Sequence, residues 1–194
     1  ITAEGDSVRM ADTVPSNLVA VGNGKLRSVK KSNNKTTYEW FVQNPINNYN
    51  ISVQIGNYVT VQDTFKKDDT THFMNHYVLD YNKQLASNYF IQSKEIIRFY
   101  EKYFGDYQWY EDGYKLVEVP YLGMEHQSAV TYGNGFSIYN GVRSKSWPMY
   151  GVVDPLIIHE TGHEWFGNSV TASDPTHIWI HEGLQVYSEA IYFE

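Results

Sequence analysis

The 194-residue sequence contains no cysteine, so disulfide and thiolate chemistry are closed to it and its redox compartment stays open. No apolar run approaches the roughly 18 residues that a membrane-crossing helix needs, so no transmembrane segment is expected. Basic residues are in the minority. Fifteen Lys and Arg face 22 Asp and Glu, for a formal charge of −7. That balance argues against a nucleic-acid partner, which would need a cationic face. Internal repeats and low-complexity tracts are absent. So is an initiator methionine: the chain starts at Ile1 and is expected to begin inside a longer protein or after processing.

Against these absences stands His159-Glu160-Thr161-Gly162-His163, followed by Glu182. Two histidines four apart on a helix share one face, with Cβ atoms ~5–6 Å apart, so both imidazoles can reach one metal ion. The glutamate after the first histidine lies about 100° round the same helix, where a base can take a proton from a water at the metal. Glu182 reads as part of the next helix and can return as a third ligand. Two His and one Glu leave a fourth tetrahedral position open, as catalytic zinc sites do. Asp154 and Pro155 ahead of the motif are suited to the cap and first position of a helix. That helix is otherwise apolar (Leu156, Ile157, Ile158, Trp165, Phe166). Polar groups on a buried helix need partners, and a metal supplies one.

A rival pair, His177 and His181, has the same spacing and would make Glu182 the base. Asp174-Pro175-Thr176-His177 reads as a helix start, which places His177 in an exposed first turn and disfavours this choice. Ile178, Trp179, Ile180, Leu184 and Val186 supply that helix's apolar residues. His72, His76 and His126 lack ligand spacing and read as surface or hydrogen-bonded residues.

His159 to Asn168, Trp179-Ile180-His181-Glu182-Gly183 and Tyr187-Ser188-Glu189 together resemble the zinc aminopeptidases of the aminopeptidase N and leukotriene hydrolase group, the gluzincins. Leu122-Gly123-Met124-Glu125-His126 resembles the family's Gly-Ala-Met-Glu-Asn exopeptidase block, with Met124 and Glu125 retained and the other three positions changed. The resemblance implies one zinc ion on His159, His163 and Glu182, with Glu160 as general base and Glu189 beside the metal as a supporting residue. It implies that Glu125 holds the substrate's free α-amino group, while Gly123 and Met124 line the cleft and pair with the peptide backbone. The implied activity is removal of N-terminal residues from peptides by metal-activated water. A related branch of the family also opens a lipid epoxide. The alternative of another class is a non-catalytic peptide- or protein-binding module on a peptidase scaffold, against which intact Glu160 and Glu125 speak.

The expected fold class is α+β. Residues 1–57 would be the tail of an N-terminal β domain, and residues 58–194 the front part of a thermolysin-like zincin catalytic domain. Thr37–Gln43 and Tyr49–Ile55, with Asn44–Asn48 between them, read as a hairpin. Tyr58–Phe65, His72–Leu79, Lys115–Pro120, Ser128–Tyr132 and Phe136–Tyr139 read as strands. Leu85–Phe104 reads as one helix ended by Gly105. Glu125 falls between two strands, on an edge that faces the cleft. The last helix reaches the chain end without Gly or Pro to close it. By resemblance the chain is therefore a fragment that lacks a helical lobe bearing an intermediate-stabilising tyrosine, and by itself is expected to be inactive or nearly so.

Overall fold

A computed structural model describes residues 4–136 and 153–194, in an α+β arrangement. The first part is all strand: β1 (Glu4–Gly5), β2 (Val8–Pro15), β3 (Val19–Gly22), β4 (Lys25–Ser32), β5 (Lys35–Val42), β6 (Ile46–Asn47) and β7 (Val53–Gly56). β5 lies between β2 and β4 in a three-stranded antiparallel sheet. Its β-branched and aromatic residues suit a half-buried pleat, and Thr36, Trp40 and Val42 point inward from alternate positions. β3 pairs with β7, and β1 with β6.

The expected hairpin between Thr37–Gln43 and Tyr49–Ile55 does not form. β5 uses both edges on β2 and β4, and the residues after it lead away through β6 and a 3-10 turn at Asn48–Asn50. That detour has a fixed anchor. The buried Asp112 carboxylate accepts hydrogen bonds from the backbone N–H groups of Gln43 (2.6 Å) and Asn44 (3.1 Å) and from Asn44 Nδ2 (2.9 Å). Local strand propensity was right for Thr37–Val42 and, of Tyr49–Ile55, only from Val53 on; the partners were set by tertiary contacts.

The second part begins with the long antiparallel pair β8 (Tyr58–Lys67) and β9 (Thr70–Leu79). β10 (Leu116–Glu118), β11 (Gly123–Met124) and β12 (Val130–Tyr132) complete a five-stranded mixed sheet in the order β11-β12-β10-β9-β8. β9, β10 and β12 run parallel; β11 is antiparallel to β12 and forms the edge. The expected strand from Phe136 onward falls, from residue 137, outside the described residues. The expected single helix is two, α1 (Lys83–Tyr89) and α2 (Gln92–Phe104). At the break, Ser93 Oγ donates to Phe90 O (2.7 Å) and Gln92 Nε2 to Tyr89 O (2.8 Å), so side chains satisfy carbonyls that a continuous helix would use. The break lets both Tyr89 and Phe90 enter the core.

α3 (Pro155–Gly162) and α4 (Trp179–Phe193) follow. One core fills the space between the sheet and α1, α2 and α3, centred on Phe90, Ile96, Ile97, Tyr100, Leu116, Ile157 and Ile158. A smaller one, with Val21, Trp40, Tyr58, Tyr77 and Val117, fastens the N-terminal strands to the sheet's other face. There Trp40 meets Tyr77 edge-on at 5.9 Å, and its Nε1 donates to Ala20 O.

Candidate metal centre

α3 starts where the sequence places it. Asp154 accepts from Leu156 N (2.9 Å), and Pro155 occupies the first turn. The Asp154 carboxylate is buried and also takes hydrogen bonds from Tyr132 OH (2.8 Å), Tyr89 OH and Asn134 Nδ2. The start of the helix is thereby tied to β12 and α1.

One turn later the helix presents His159 and His163 side by side. Their Nε2 atoms are 3.2 Å apart. Glu182, from the first turn of α4, brings Oε2 to 3.7 Å from His159 Nε2 and 3.8 Å from His163 Nε2. These three ligand atoms all lie within 4.8 Å of one another. Ligands ~2.0–2.1 Å from a tetrahedral zinc would stand about 3.3 Å apart, close to this spacing. The other ring nitrogens are engaged. His159 Nδ1 faces Glu189 Oε1 at 2.7 Å, and His163 Nδ1 faces Phe166 O at 2.8 Å. Both acceptors place the proton on Nδ1 and leave the Nε2 lone pairs facing each other. Two lone pairs at that distance repel unless a cation lies between them, so the donor set suits a zinc ion. The rival histidines are not brought together in this way. His177 is exposed, and His181 Nε2 accepts from Ala172 N (2.9 Å).

Electrostatics run the same way. Burial pushes the Glu160 carboxyl up to about 8, and the carboxylates of Glu125, Glu182 and Glu189 add to that against the pull of His159. Burial lowers His163, with His159 beside it adding to the effect. Burial also acts against a charged His159, but the hydrogen bond to Glu189 and the surrounding carboxylates outweigh it and raise the group. A pocket with four glutamates near two imidazoles calls for a cation, and one would draw Glu160 back toward its ionised form.

Glycines explain how close the pieces come. A Cβ on Gly123 would sit 2.5 Å from Glu160 Oε1, so the edge strand lies directly against that carboxylate. A Cβ on Gly162 would sit 2.1 Å from both Gln185 Oε1 and Tyr100 OH. Close packing at the end of α3 is thus what Gly162 permits. α4 meets α3 through polar residues. His181, Gln185, Ser188 and Glu189 are its buried side, whereas Ile178, Trp179, Val186 and Tyr187 are exposed.

Gly123 and Met124 are half-buried on β11, and Glu125 is buried just beyond it. β11 uses only one of its edges, on β12, among the described residues. Sequence reasoning missed the Phe166 carbonyl, which as a backbone group leaves no trace in residue type. It also missed Asn50 and Asn168, whose side chains hydrogen-bond to each other at 2.7 Å beside Glu125.

Comparison with known proteins agrees with this geometry. The Peptidase family M1 domain matches residues 88–194, more than half of the chain. Human endoplasmic reticulum aminopeptidase 2 is 32% identical over 118 residues, 57% of this chain and 12% of that protein. Leucyl aminopeptidase from Saccharolobus solfataricus is 25% identical over 185 residues, 90% of this chain and 22% of that protein. The chain thus spans a small part of the relatives it matches. The crystal structure of an M1 zinc metallopeptidase from Deinococcus radiodurans superposes with a TM-score of 0.76 at 18% identity, covering 96% of this chain and 40% of that one, and shares its fold. The paired histidines, the glutamate on the following helix and the matched domain lead to one conclusion: the chain belongs to peptidase family M1, among the aminopeptidase N-type gluzincins.

Proposed function

We propose that this chain supplies the metal site and the amine-recognition site of a zinc aminopeptidase that removes N-terminal residues from peptides. The observation that supports it best is the convergence of His159, His163 and Glu182, with both imidazoles oriented from behind. These three would hold one zinc ion, and Glu189 would fix the tautomer of His159. When bound, zinc would supply Lewis acidity that eases deprotonation of water and polarises a carbonyl oxygen.

The remaining roles belong to the chain's own groups. Glu160, buried against Gly123, would take a proton from the attacking water and return it to the leaving amine. Glu125 would hold the substrate's ammonium by a charge-assisted hydrogen bond. Its fixed place relative to the histidines would restrict cleavage to the first peptide bond. Gly123 and Met124, on the free edge of β11, would pair with the peptide backbone as an added strand. The relatives' names, all aminopeptidases among those compared, fit a substrate with a free N-terminus. The change from paired small sheets to the five-stranded sheet at Tyr58 supports a domain boundary near residue 57, with 58–194 the front part of the catalytic domain.

The test is Glu160→Gln in the full-length protein. Zinc content by elemental analysis should be unchanged, and turnover of aminoacyl p-nitroanilides should fall ~10²-fold or more, as for loss of a general base. Turnover near the wild-type value would reject the assignment.

A further inference from the structure

We propose that Asn50 and Asn168 form a positioning relay by which the N-terminal strands set the place of Glu125 and so the enzyme's preference for a free amine. The inference rests on the reading of Glu125 given above. Asn168 lies just past the metal helix, buried, with its N–H bonded to His163 O (2.9 Å). Its Nδ2 donates to Glu125 O (2.9 Å) and to Glu164 Oε2 (3.1 Å). Its Oδ1 accepts from Asn50 Nδ2 at 2.7 Å. The Glu125 carbonyl and the Glu164 carboxylate accept from the Asn168 nitrogen, which turns the amide oxygen away from them. Asn50 holds that oxygen with its own donor and so ties Asn168, and through it the Glu125 backbone, to the N-terminal part of the chain.

Asn50 is itself fixed from the other side. Its carbonyl accepts from Asn23 Nδ2 (3.0 Å), which also donates to Gln127 O (2.7 Å). Gln127 Nε2 reaches Pro45 O (2.9 Å). The segment 125–127 is therefore held between two asparagines, one after the metal helix and one in the N-terminal strands. Asn50 satisfies Asn168 but meets only part of its own hydrogen-bonding need. It is fully buried, and its Oδ1 has no hydrogen-bond partner among the described residues. A buried unsatisfied oxygen is a cost that an apolar residue of similar size would avoid. What Asn50 supplies is an anchor for the Asn168 oxygen.

Asn50→Asp replaces the donor by an acceptor that repels the Asn168 oxygen and so breaks the anchor. Asn50→Leu removes the anchor without adding charge, so it serves if the first variant folds poorly. The probes are leucine hydroxamate and its desamino analogue, 4-methylpentanoyl hydroxamate, used as inhibitors of the full-length zinc enzyme. They differ only in the amine, so the ratio of their inhibition constants reports the grip on ammonium and not the metal. Both variants are expected to lower this ratio about tenfold, the size of one lost hydrogen bond to a charged group. The affinity for the desamino compound should hold within about twofold. Equal weakening of both compounds, or an unchanged ratio in a folded variant, would overturn the relay. Glu125→Ala, measured alongside, should bring the ratio close to one. If it does not, the reading of Glu125 itself fails and the relay with it. If it does while both Asn50 variants keep the wild-type ratio, only the relay fails.

Discussion

Replacing Gly162 by alanine sets two opposing effects against each other. Alanine favours a helix interior by up to about 1 kcal/mol over glycine, and Gly162 is the last residue of α3, where the gain is smaller. Against this, the new methyl would lie 2.1 Å from both Gln185 Oε1 and Tyr100 OH. Neither has room to withdraw. Gln185 Nε2 donates to Tyr100 OH (2.9 Å) and to Ile158 O (3.2 Å), and Ser188 Oγ lies 2.9 Å from the same phenol. All three side chains are fully buried. Overpacking of this kind costs about 1–3 kcal/mol, and each hydrogen bond broken in making room costs about 1 kcal/mol more. The balance is a loss of about 2 kcal/mol, which for a chain of this size lowers Tm by about 4–8 °C. The same push separates α3 from α4, and with it Glu182 from the two histidines, so zinc affinity should fall with stability. Thermal unfolding of the zinc-free protein gives the first quantity, and competition with a chelator gives the second. A double-mutant cycle with Gln185→Ala isolates the clash, with an expected coupling of about 1 kcal/mol or more in favour of the double variant. An alanine variant with Tm equal to or above the wild type would refute the reasoning, since helix propensity would then have outweighed the close approach.

Three further outcomes follow from the same structure. Glu189→Gln should weaken zinc binding by about 10–100-fold while leaving the metal stoichiometry at saturation unchanged, because it loosens the hold on His159 Nδ1 without removing a ligand; chelator competition reads it, and an unchanged affinity would deny Glu189 its supporting role. Glu160→Gln should separate zinc content from turnover as described above. Acidification should unfold the protein in part through His76, whose Nδ1 accepts from Leu116 N (2.9 Å) and whose pKa burial pushes down to about 4 from 6.5. Between those values the unfolded chain binds a proton that the fold excludes, so stability falls as pH drops from about 6.5 to 4, by about 3 kcal/mol in all. His76→Asn, which keeps an acceptor near Nδ1, should lose correspondingly less over that range in urea titrations; an identical pH dependence would exclude His76 as a cause.

How much of this was written in the sequence depends on whether the cause was local. The start of α3 was, because Asp154 and Pro155 act within one turn. The meeting of His159 with His163 was, because helical period alone puts them on one face. The pairing of β5 was not, since its strand propensity says nothing of whether β2, β4 or β7 lies alongside, and the Asp112 anchor that diverts the chain is about 70 residues away. The break between α1 and α2 was hidden because Tyr89 and Phe90 satisfy helical spacing on either side of it. The apolar residues of α4 were legible, but not their direction. Of the five residues read as that helix's apolar complement, Ile178, Trp179 and Val186 are exposed and Ile180 and Leu184 half-buried, while Gln185, Ser188 and Glu189 are buried. Sequence pattern equates apolar with inside, and a helix that sets Glu182 beside two histidines on the neighbouring helix reverses that rule in part. The Asn50–Asn168 pair carried no signal at all, because its members are separated by 118 positions and belong to no spacing rule.

That reversal in α4 has a mechanical meaning. A greasy contact tolerates sliding, because one methyl group replaces another as neighbour. A seam of amide, hydroxyl and carboxylate does not: moved along by one residue, Gln185 would lose Tyr100, Ser188 would lose the phenol and Glu189 would lose the imidazole it orients. α4 is therefore indexed against α2 and α3 together like a toothed rack, and the notch at Gly162 is where the teeth mesh.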